Sequence, residues 1–217
     1  MLLLRPPGVY APQADTWLLR QALEEAALAP GARVLDLCAG TGVLGMAALR
    51  MGASEVVALD CARRAVLAAR VNAWLRALPL TVRHGDLAHG VGGRRFDVVL
   101  ANPPYVPSPG PVPRRGGAAR CWDGGPSGRS VIDRLCTQVP PLLDGGGTLL
   151  MVHSAVSGTH QTLALLRQQD LKAAVVARAT EPFGPVMRER AAWLEAKGFV
   201  EPGQRTEELV VIRADRT

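Results

Sequence analysis

Short apolar runs alternate along the chain with stretches in which apolar residues recur every three or four positions. The apolar runs predict seven β-strands, at residues 33–37, 55–59, 80–83, 96–101, 148–153, 171–177 and 209–213. The stretches with helical period predict helices that begin near residues 15, 43, 61 and 130, and a helical insert over about 185–197. Strands that alternate with helices in this way are typical of an α/β fold built on a mostly parallel sheet.

Two of these helices carry more detailed expectations. The helix after Asp60 is expected to extend to about Leu78. Its predicted buried face consists of Leu67, Val71, Trp74, Leu75 and Leu78. The helix near residue 130 is expected to begin with a capping pair, Ser130 and Asp133. Its predicted buried face consists of Ile132, Leu135, Cys136 and Val139.

The chain contains no internal repeat, linker or second apolar core, so we expect a single domain over residues 1–217. Residues 1–32 would form an N-terminal segment and helix, and the helical insert would occupy about 180–204. Residues 103–128 contain seven prolines and have neither helical nor strand period. An irregular segment of this length inside a compact domain is usually functional, and we interpret it as a substrate loop.

Composition narrows the class of protein. The chain has 217 residues, of which 48% are hydrophobic and 20% charged, which is enough apolar mass for a core. No apolar run approaches the roughly 20 residues of a membrane helix, and the opening apolar run is too short for a secretory signal. The four cysteines have no metal-ligand spacing, so we expect no metal site and a reducing, cytoplasmic location.

The net charge of +6 is compatible with a nucleic-acid partner. However, arginine supplies nearly all of the basic residues, and the arginines are scattered as singles and pairs rather than gathered in one stripe. We therefore interpret the charge as a compositional bias and keep an acidic or ribonucleoprotein partner as the alternative.

The turn between the first strand and the next helix is rich in glycine. Its sequence, Asp36-Leu37-Cys38-Ala39-Gly40-Thr41-Gly42, lets a ligand approach the backbone closely. Asp36 would repel a phosphate, so the ammonium group of S-adenosylmethionine fits this turn better than a dinucleotide does. Asp60, after the second strand, is positioned to accept ribose hydroxyls, and Asp86, after the third, an adenine amino group. The alternative is that the glycines serve packing and Asp86 caps its own turn.

The fourth predicted strand is followed by Asn102-Pro103-Pro104-Tyr105. Ligands of open parallel sheets bind at the carboxyl ends of the strands. The side-chain oxygen of Asn102 and the carbonyl of Pro103 can accept the two N–H groups of a planar NH₂, and Tyr105 can lie over it. The prolines stiffen the backbone, so that little ordering is needed when substrate binds. The alternative is a simple proline-rich turn.

Together these motifs resemble the class I S-adenosylmethionine-dependent methyltransferases that carry an Asn-Pro-Pro-Tyr motif and methylate exocyclic or amide nitrogen. Two further segments are similar to the HemK-like protein-glutamine N5-methyltransferases. They are Val9-Tyr10-Ala11-Pro12-Gln13-Ala14-Asp15-Thr16-Trp17-Leu18-Leu19 and Trp122-Asp123-Gly124-Gly125-Pro126-Ser127-Gly128-Arg129. The resemblance covers residues 9 to about 153. It is nearest to the short type, which methylates the glutamine of the Gly-Gly-Gln loop in a class I release factor.

The resemblance implies a Rossmann-like sheet of seven strands in the order 3-2-1-4-5-7-6, with the last strand antiparallel and helices on both faces. It implies cofactor contacts from Thr16, Asp36, Cys38, Gly40, Gly42, Asp60, Cys61, Asp86, Leu87 and Asn102. It implies substrate contacts from Asn102, Pro103, Pro104, Tyr105 and Trp122, with Asn102, Pro103 and Tyr105 as the catalytic group. A small activator subunit that pairs with the edge of the third strand is a further implied partner.

Three departures from the family pattern bear on the substrate more than on the reaction, and the one at Cys38 also bears on cofactor affinity. Cys38 replaces the first glycine of the turn, and Ala14 stands where the family generally has an acidic residue. The insert around 183–203 is additional to the short type and could cap a different substrate.

Other functions remain open at this stage. An adenine-N6 methyltransferase acting on DNA or RNA uses the same acceptors after base flipping, and a small-molecule N-methyltransferase is a further alternative. Only about 32 residues precede the first strand, which disfavours a target-recognition domain and the longer bacterial glutamine methyltransferases. The non-enzyme alternative is a cofactor-free interaction module, against which the intact Asp36, Asp60, Asp86 and Asn-Pro-Pro-Tyr positions argue.

Overall fold

The computed structural model describes residues 3–110 and 118–217 and has a seven-stranded sheet at its centre. The strands are β1 (Arg33–Leu37), β2 (Glu55–Asp60), β3 (Thr81–His84), β4 (Phe96–Ala101), β5 (Leu143–Ser154), β6 (Leu171–Pro182) and β7 (Thr206–Arg216). Their order in the sheet is β3-β2-β1-β4-β5-β7-β6. The last strand, β7, is antiparallel to both of its neighbours, and the other pairs are parallel. The expected order and strand directions are confirmed.

Helices connect most of the strands. They are α1 (Ala14–Glu25), α2 (Val43–Arg50), α3 (Arg63–Trp74), α4 (Ile132–Gln138), α5 (Thr159–Arg167), α6 (Pro185–Glu189) and α7 (Ala191–Ala196). The predicted insert corresponds to α6 and α7, between β6 and β7. The sequence did not predict α5, in which only Thr162 and Leu166 are buried, so that its apolar period is weak. Within the described ranges, no helix is long and apolar enough to cross a membrane.

The sheet buries side chains on both faces, because its central strands send alternate residues into two apolar clusters. In β4, Val99 and Ala101 join a cluster that includes residues of α4. Val98 and Leu100 join a second cluster that includes residues of α1 and α2. Central strands that are covered on both faces are continuous apolar runs, which explains why the sequence predicts β1, β2 and β4 to within a residue.

The predicted buried face of α3 is wrong. Leu67, Trp74 and Leu75 are 57%, 76% and 61% exposed, and the helix ends at Trp74 rather than near Leu78. The side chains that face the protein are mostly small, namely Ala65, Val66, Ala68, Ala69, Asn72 and Ala73. Alanines allow the helix to pack close to the sheet, and the larger apolar residues are left on the outer face.

The predicted capping pair of α4 is also wrong, although its buried face is confirmed. The residue before the helix is Val131, and no side chain caps the helix there. Asp133 instead accepts a hydrogen bond of 2.6 Å from the guanidinium of Arg129. Ile132, Leu135, Cys136 and Val139 are buried as expected.

The segment predicted as a substrate loop is partly ordered by pairing between its two ends; its residues 111–117 lie outside the described residues. The amide of Val106 donates to the carbonyl of Trp122 at 2.8 Å, and the amide of Gly124 donates to the carbonyl of Val106 at 2.8 Å. The loop is therefore anchored directly behind Asn102-Pro103-Pro104-Tyr105.

Candidate active site

A cavity of about 680 Å³ lies at the carboxyl ends of β1, β2 and β4. This is the end of an open parallel sheet at which ligands bind. Most of the predicted site residues line it, namely Thr16, Cys38, Gly40, Asp60, Cys61, Asp86, Leu87, Asn102, Pro103, Pro104, Tyr105 and Trp122. Asp36 and Gly42 do not line it. The cavity therefore brings together the glycine turn, Asp60 at the end of β2, Asp86 after β3, and the segment after β4.

The two glycines of the turn have different surroundings. A Cβ atom added at Gly40 would have no atom within 4 Å, so this backbone borders open space in the cavity. A Cβ atom added at Gly42 would lie 2.9 Å from the Cβ of Ala69, so this glycine allows α3 to pack against the turn. Both have positive φ angles, and so does Cys38, at 59°. A ligand can thus approach Gly40, whereas Gly42 serves packing.

Asp60 is fixed by backbone donors where it borders the cavity. Its Oδ2 atom accepts a hydrogen bond of 2.9 Å from the amide of Gly40, and Oδ1 accepts one of 2.8 Å from the amide of Ala62. Asp86 borders the cavity from β3 and forms an ion pair of 2.9 Å with Arg134. Both side chains of that pair are well exposed, so it contributes at most about 1 kcal/mol to stability.

Asp36 lies beneath the turn and is completely buried. Its Oδ2 atom accepts a hydrogen bond of 2.8 Å from the amide of Gly45, in the first turn of α2, while Oδ1 has no hydrogen-bond partner within the described residues. Burial, with a smaller contribution from the charge of Asp60, raises the pKa of Asp36 to about 7. Asp36 thus supports the turn from below, and a contact with a cofactor ammonium group stays a prediction.

The raised pKa of Asp36 predicts a pH-dependent stability. The ordinary pKa is 3.8, so between about pH 4 and 7 the folded protein retains a proton that the unfolded chain releases. Stability is therefore lost as pH rises toward and through 7. Asn cannot ionise, and we expect Asp36→Asn to gain about 2–3 kcal/mol of unfolding free energy over the wild type between pH 5 and pH 8. Urea unfolding of both proteins at the two pH values measures this gain, and an unchanged difference would contradict it.

The segment after β4 is held by a buried polar network that starts in α1. Asn102 donates from Nδ2 to the Thr16 hydroxyl at 3.2 Å, and that hydroxyl donates to Asp15 Oδ1 at 3.0 Å. Asp15 Oδ2 accepts from the hydroxyls of Tyr10, at 2.7 Å, and Tyr105, at 3.1 Å. The sequence interpretation missed Tyr10 and Asp15, although both lie in the quoted segment Val9-Tyr10-Ala11-Pro12-Gln13-Ala14-Asp15-Thr16-Trp17-Leu18-Leu19.

Burial and the nearby Asp15 charge raise the pKa of the Tyr105 hydroxyl well above its ordinary value, and the same causes raise the pKa of Tyr10. Both phenols are therefore hydrogen-bond donors at neutral pH. The histidines offer no alternative acid or base, because none of the cavity-lining residues in the described part of the chain is a histidine. Burial lowers the pKa of His153 to about 4, away from the cavity.

Arg190 joins the helical insert to the substrate loop. Arg190, between α6 and α7, forms an ion pair of 2.6 Å with Asp123 and donates to the carbonyl of Pro107 at 3.1 Å. The side chains of both charged residues are largely buried. The insert is thus bonded to the substrate loop on both sides, at Pro107 and at Asp123.

The sheet order, the glycine turn after β1, the acidic residue after β2 and the Asn-Pro-Pro-Tyr segment after β4 define a class I methyltransferase. The family model for the methyltransferase small domain matches residues 2–109. A provisionally named protein N5-glutamine methyltransferase of Methanocaldococcus jannaschii is 32% identical over 181 residues, which cover 83% of this chain and 90% of that protein. The chain belongs to the HemK-like family of S-adenosylmethionine-dependent protein-glutamine methyltransferases.

Two further comparisons bear on length and fold. The release factor glutamine methyltransferase of Geobacter sulfurreducens is 30% identical over 152 residues, which cover 67% of this chain and 53% of that protein. The chain thus matches about half the length of this bacterial relative. The E. cuniculi Mtq2-Trm112 complex, described as responsible for methylation of the eRF1 translation termination factor, contains a chain of the same fold. Its TM-score is 0.64 at 24% identity, with 97% of this chain and 99% of that chain covered.

Proposed function

We propose that this methyltransferase modifies the side-chain amide nitrogen of a glutamine in the Gly-Gly-Gln loop of a class I release factor. The observation that carries the proposal is the position of Asn102 and Pro103, which border the same cavity as Gly40 and Asp60. An acceptor pair for an NH₂ group then lies beside the proposed cofactor site. The names of the relatives support a glutamine acceptor in a release factor.

The cavity residues fit S-adenosylmethionine. Gly40 leaves open space for a ligand at the turn, Asp60 would accept the ribose hydroxyls, and Asp86 would accept the adenine amino group. Thr16, Cys38, Cys61 and Leu87 would complete the contacts. When bound, the cofactor supplies a methyl group that its positively charged sulfur makes electrophilic. We infer that Asp36 and Gly42 act indirectly, because neither lines the cavity.

The acceptor pair addresses the main chemical difficulty, since an amide nitrogen is a weak nucleophile whose lone pair is delocalised over the carbonyl group. The oxygens of Asn102 and Pro103 accept the two N–H groups, hold the NH₂ and direct its lone pair toward the methyl donor. The same oxygens offset the positive charge that develops on nitrogen. Its protons become acidic as the new bond forms, so no strong base is required. Tyr105 stays protonated and orients the segment.

We propose that residues 1–217 act as one catalytic domain in which the substrate loop and the insert work together. The bonds of Arg190 to Asp123 and Pro107 support a role of the insert in holding the loop in position, and a cap over the substrate stays a prediction. Trp122 lines the cavity from that loop and would contact the substrate. The four cysteines all lie in the described residues and form no disulfide there, which supports a cytoplasmic location.

We further propose that a small activator subunit binds at β3. In the described part of the sheet β3 is an edge strand, and an exposed edge is a template for strand pairing. The neighbouring α3 exposes Leu67, Trp74 and Leu75, which would add apolar contact area. The Mtq2-Trm112 complex of the structural relative supports the presence of a second subunit, whereas the location at β3 rests on the exposed strand edge and on α3.

The experiment that tests the function locates a transferred methyl group. Purified protein is incubated with methyl-labelled S-adenosylmethionine and a class I release factor, and the products are analysed by mass spectrometry. We expect N5-methylation of the Gly-Gly-Gln glutamine and none in a factor whose glutamine is replaced by alanine. A parallel incubation with cell extract reveals whether a further subunit raises the rate. Label only on nucleic acid or on small molecules would overturn the proposed substrate.

A further inference from the structure

The hydrogen bonds from Asp15 to Asn102 have a defined direction. Asp15 is buried, and its two carboxylate oxygens accept four hydrogen bonds. Oδ1 accepts from the amide of Thr16 at 2.5 Å and from its hydroxyl at 3.0 Å, and Oδ2 accepts from the hydroxyls of Tyr10 and Tyr105. All four hydrogen bonds are donated to Asp15, so its carboxylate acts only as an acceptor in this network.

The direction of these hydrogen bonds determines whether the NH₂ group or the oxygen of the Asn102 amide faces the cavity. The Thr16 hydroxyl has one hydrogen, which it donates to Asp15, so its oxygen can only accept from Asn102. The NH₂ group of Asn102 must therefore face Thr16, at 3.2 Å. Its carbonyl oxygen is left for the cavity. The assignment rests on the Thr16 hydroxyl donating to Asp15, at 3.0 Å, rather than to Asn102.

We propose that Asp15 and Thr16 are positioning residues that determine substrate specificity by setting the orientation of the Asn102 amide. The proposal rests on the proposed function and deepens it. With the amide held this way, the oxygens of Asn102 and Pro103 form a site that requires two N–H donors. A glutamine side chain supplies them, whereas a glutamate carboxylate only accepts and would face two acceptor oxygens. The hydrogen bonds that run from Asp15 through Thr16 to Asn102 form a relay. Because this relay orients Asn102, the site rejects glutamate, the acid that is nearly isosteric with glutamine.

Three variants test whether the relay positions the Asn102 amide or whether Asp15 and Thr16 have other roles. Thr16→Val keeps the shape but lacks the hydroxyl, so Asn102 can turn, and we expect kcat for the glutamine factor to fall about 10²-fold. Thr16→Ser keeps the hydroxyl and is expected to stay within about threefold of the wild type. Asp15→Asn can still present an oxygen to Thr16, and we expect it to lose less than about tenfold. The matched control for Asp15→Asn is Asp97→Asn. It changes an ion pair between Asp97 and Arg33 at the opposite end of β4.

Inhibition by a peptide distinguishes positioning from loss of structure. For the wild type, a Gly-Gly-Glu peptide should inhibit much more weakly than a Gly-Gly-Gln peptide. In Thr16→Val this difference should shrink on the order of tenfold, because a turned Asn102 offers N–H groups to the carboxylate. The Kd for S-adenosylmethionine, measured by calorimetry, separates this effect from any loss of the proposed contact between Thr16 and the cofactor. Unchanged discrimination in Thr16→Val, or an Asp15→Asn loss as large as that of Thr16→Val, would overturn the relay.

Neutron diffraction tests the relay without any turnover. Deuterated crystals of the wild-type protein should show both Asn102 deuterons on the nitrogen that faces Thr16, and the Thr16 deuteron directed at Asp15. A carbonyl oxygen of Asn102 facing Thr16 would refute the relay whatever the activity. If instead the wild-type protein leaves the glutamine factor unmethylated, the proposed substrate is wrong, while the deuteron positions still decide the orientation of Asn102.

Discussion

Replacing Asn102 with alanine is expected to lower kcat about 10²–10³-fold, the usual consequence of removing one group that stabilises a transition state electrostatically. The variant loses one of the two acceptors that would hold the substrate NH₂ and offset its developing charge. Cofactor binding should change little, because Gly40 and Asp60 border the cavity from other strands. Single-turnover methylation of the release factor and calorimetry with S-adenosylmethionine measure the two quantities separately.

The control for this variant is Gln21→Ala, which removes a side-chain amide that bonds only to Glu25 on the exposed face of α1 within the described hydrogen bonds. It should retain wild-type turnover and unfolding temperature. An Asn102→Ala protein that turns over within about twofold of the wild type would refute the catalytic role of Asn102. A large loss of cofactor affinity would instead assign Asn102 mainly to the cofactor.

Gly128→Ala is expected to destabilise the protein by about 2–4 kcal/mol, because two unfavourable terms add. Gly128 has a φ angle of +74°, which costs a residue with a Cβ about 1–2 kcal/mol. The added Cβ would also overlap the carbonyl oxygen of Tyr105 and lie 2.7 Å from the hydroxyl oxygen of Ser157. That hydroxyl donates to the same carbonyl at 2.7 Å, so the support of the Asn-Pro-Pro-Tyr segment would be lost. Urea unfolding measures the change in stability.

The matched control is Gly31→Ala, since Gly31 has the same φ angle of +74° and a Cβ there would have no atom within 4 Å. It should lose only the backbone contribution of about 1–2 kcal/mol. Gly128→Ala should also lower kcat at temperatures at which it remains folded, whereas Gly31→Ala should not. Equal losses of stability in the two variants would show that the contact with Tyr105 contributes nothing.

The sequence predicts the strands whose side chains are completely buried. It is wrong about elements whose side chains are only partly buried. The strands β1, β2 and β4 are apolar along their whole length and are bounded by turn residues, so their positions are clear. The face of α3 is mispredicted because the size of an apolar residue says little about its orientation when alanines supply the close contact. The edge strand β6 was predicted five residues too short, because its outer half alternates between exposed and half-buried positions.

The sequence predicts the site residues that belong to a local motif. It misses the residues that hold this motif in place from far away along the chain. The segment after β4 follows directly from Asn102-Pro103-Pro104-Tyr105 and the strand before it. Its anchor, Asp15, lies 90 residues away from Tyr105 along the chain, and no local pattern connects the two. The position of Asp36 beneath the turn likewise depends on how α2 begins, which spacing alone does not reveal.

The residues of the candidate site and the residues that form the Arg190–Asp123 ion pair lie in different halves of the chain. The glycine turn, the acidic residues and Asn102 all lie in the half of the chain that the family model covers, whereas Arg190 and Asp123 lie beyond it. Under the proposed function, the first half would carry the methyl-transfer centre, and the second would hold the substrate loop in position. Substitutions near Arg190 and Asp123 would then change which substrate is accepted and leave the methyl-transfer centre intact.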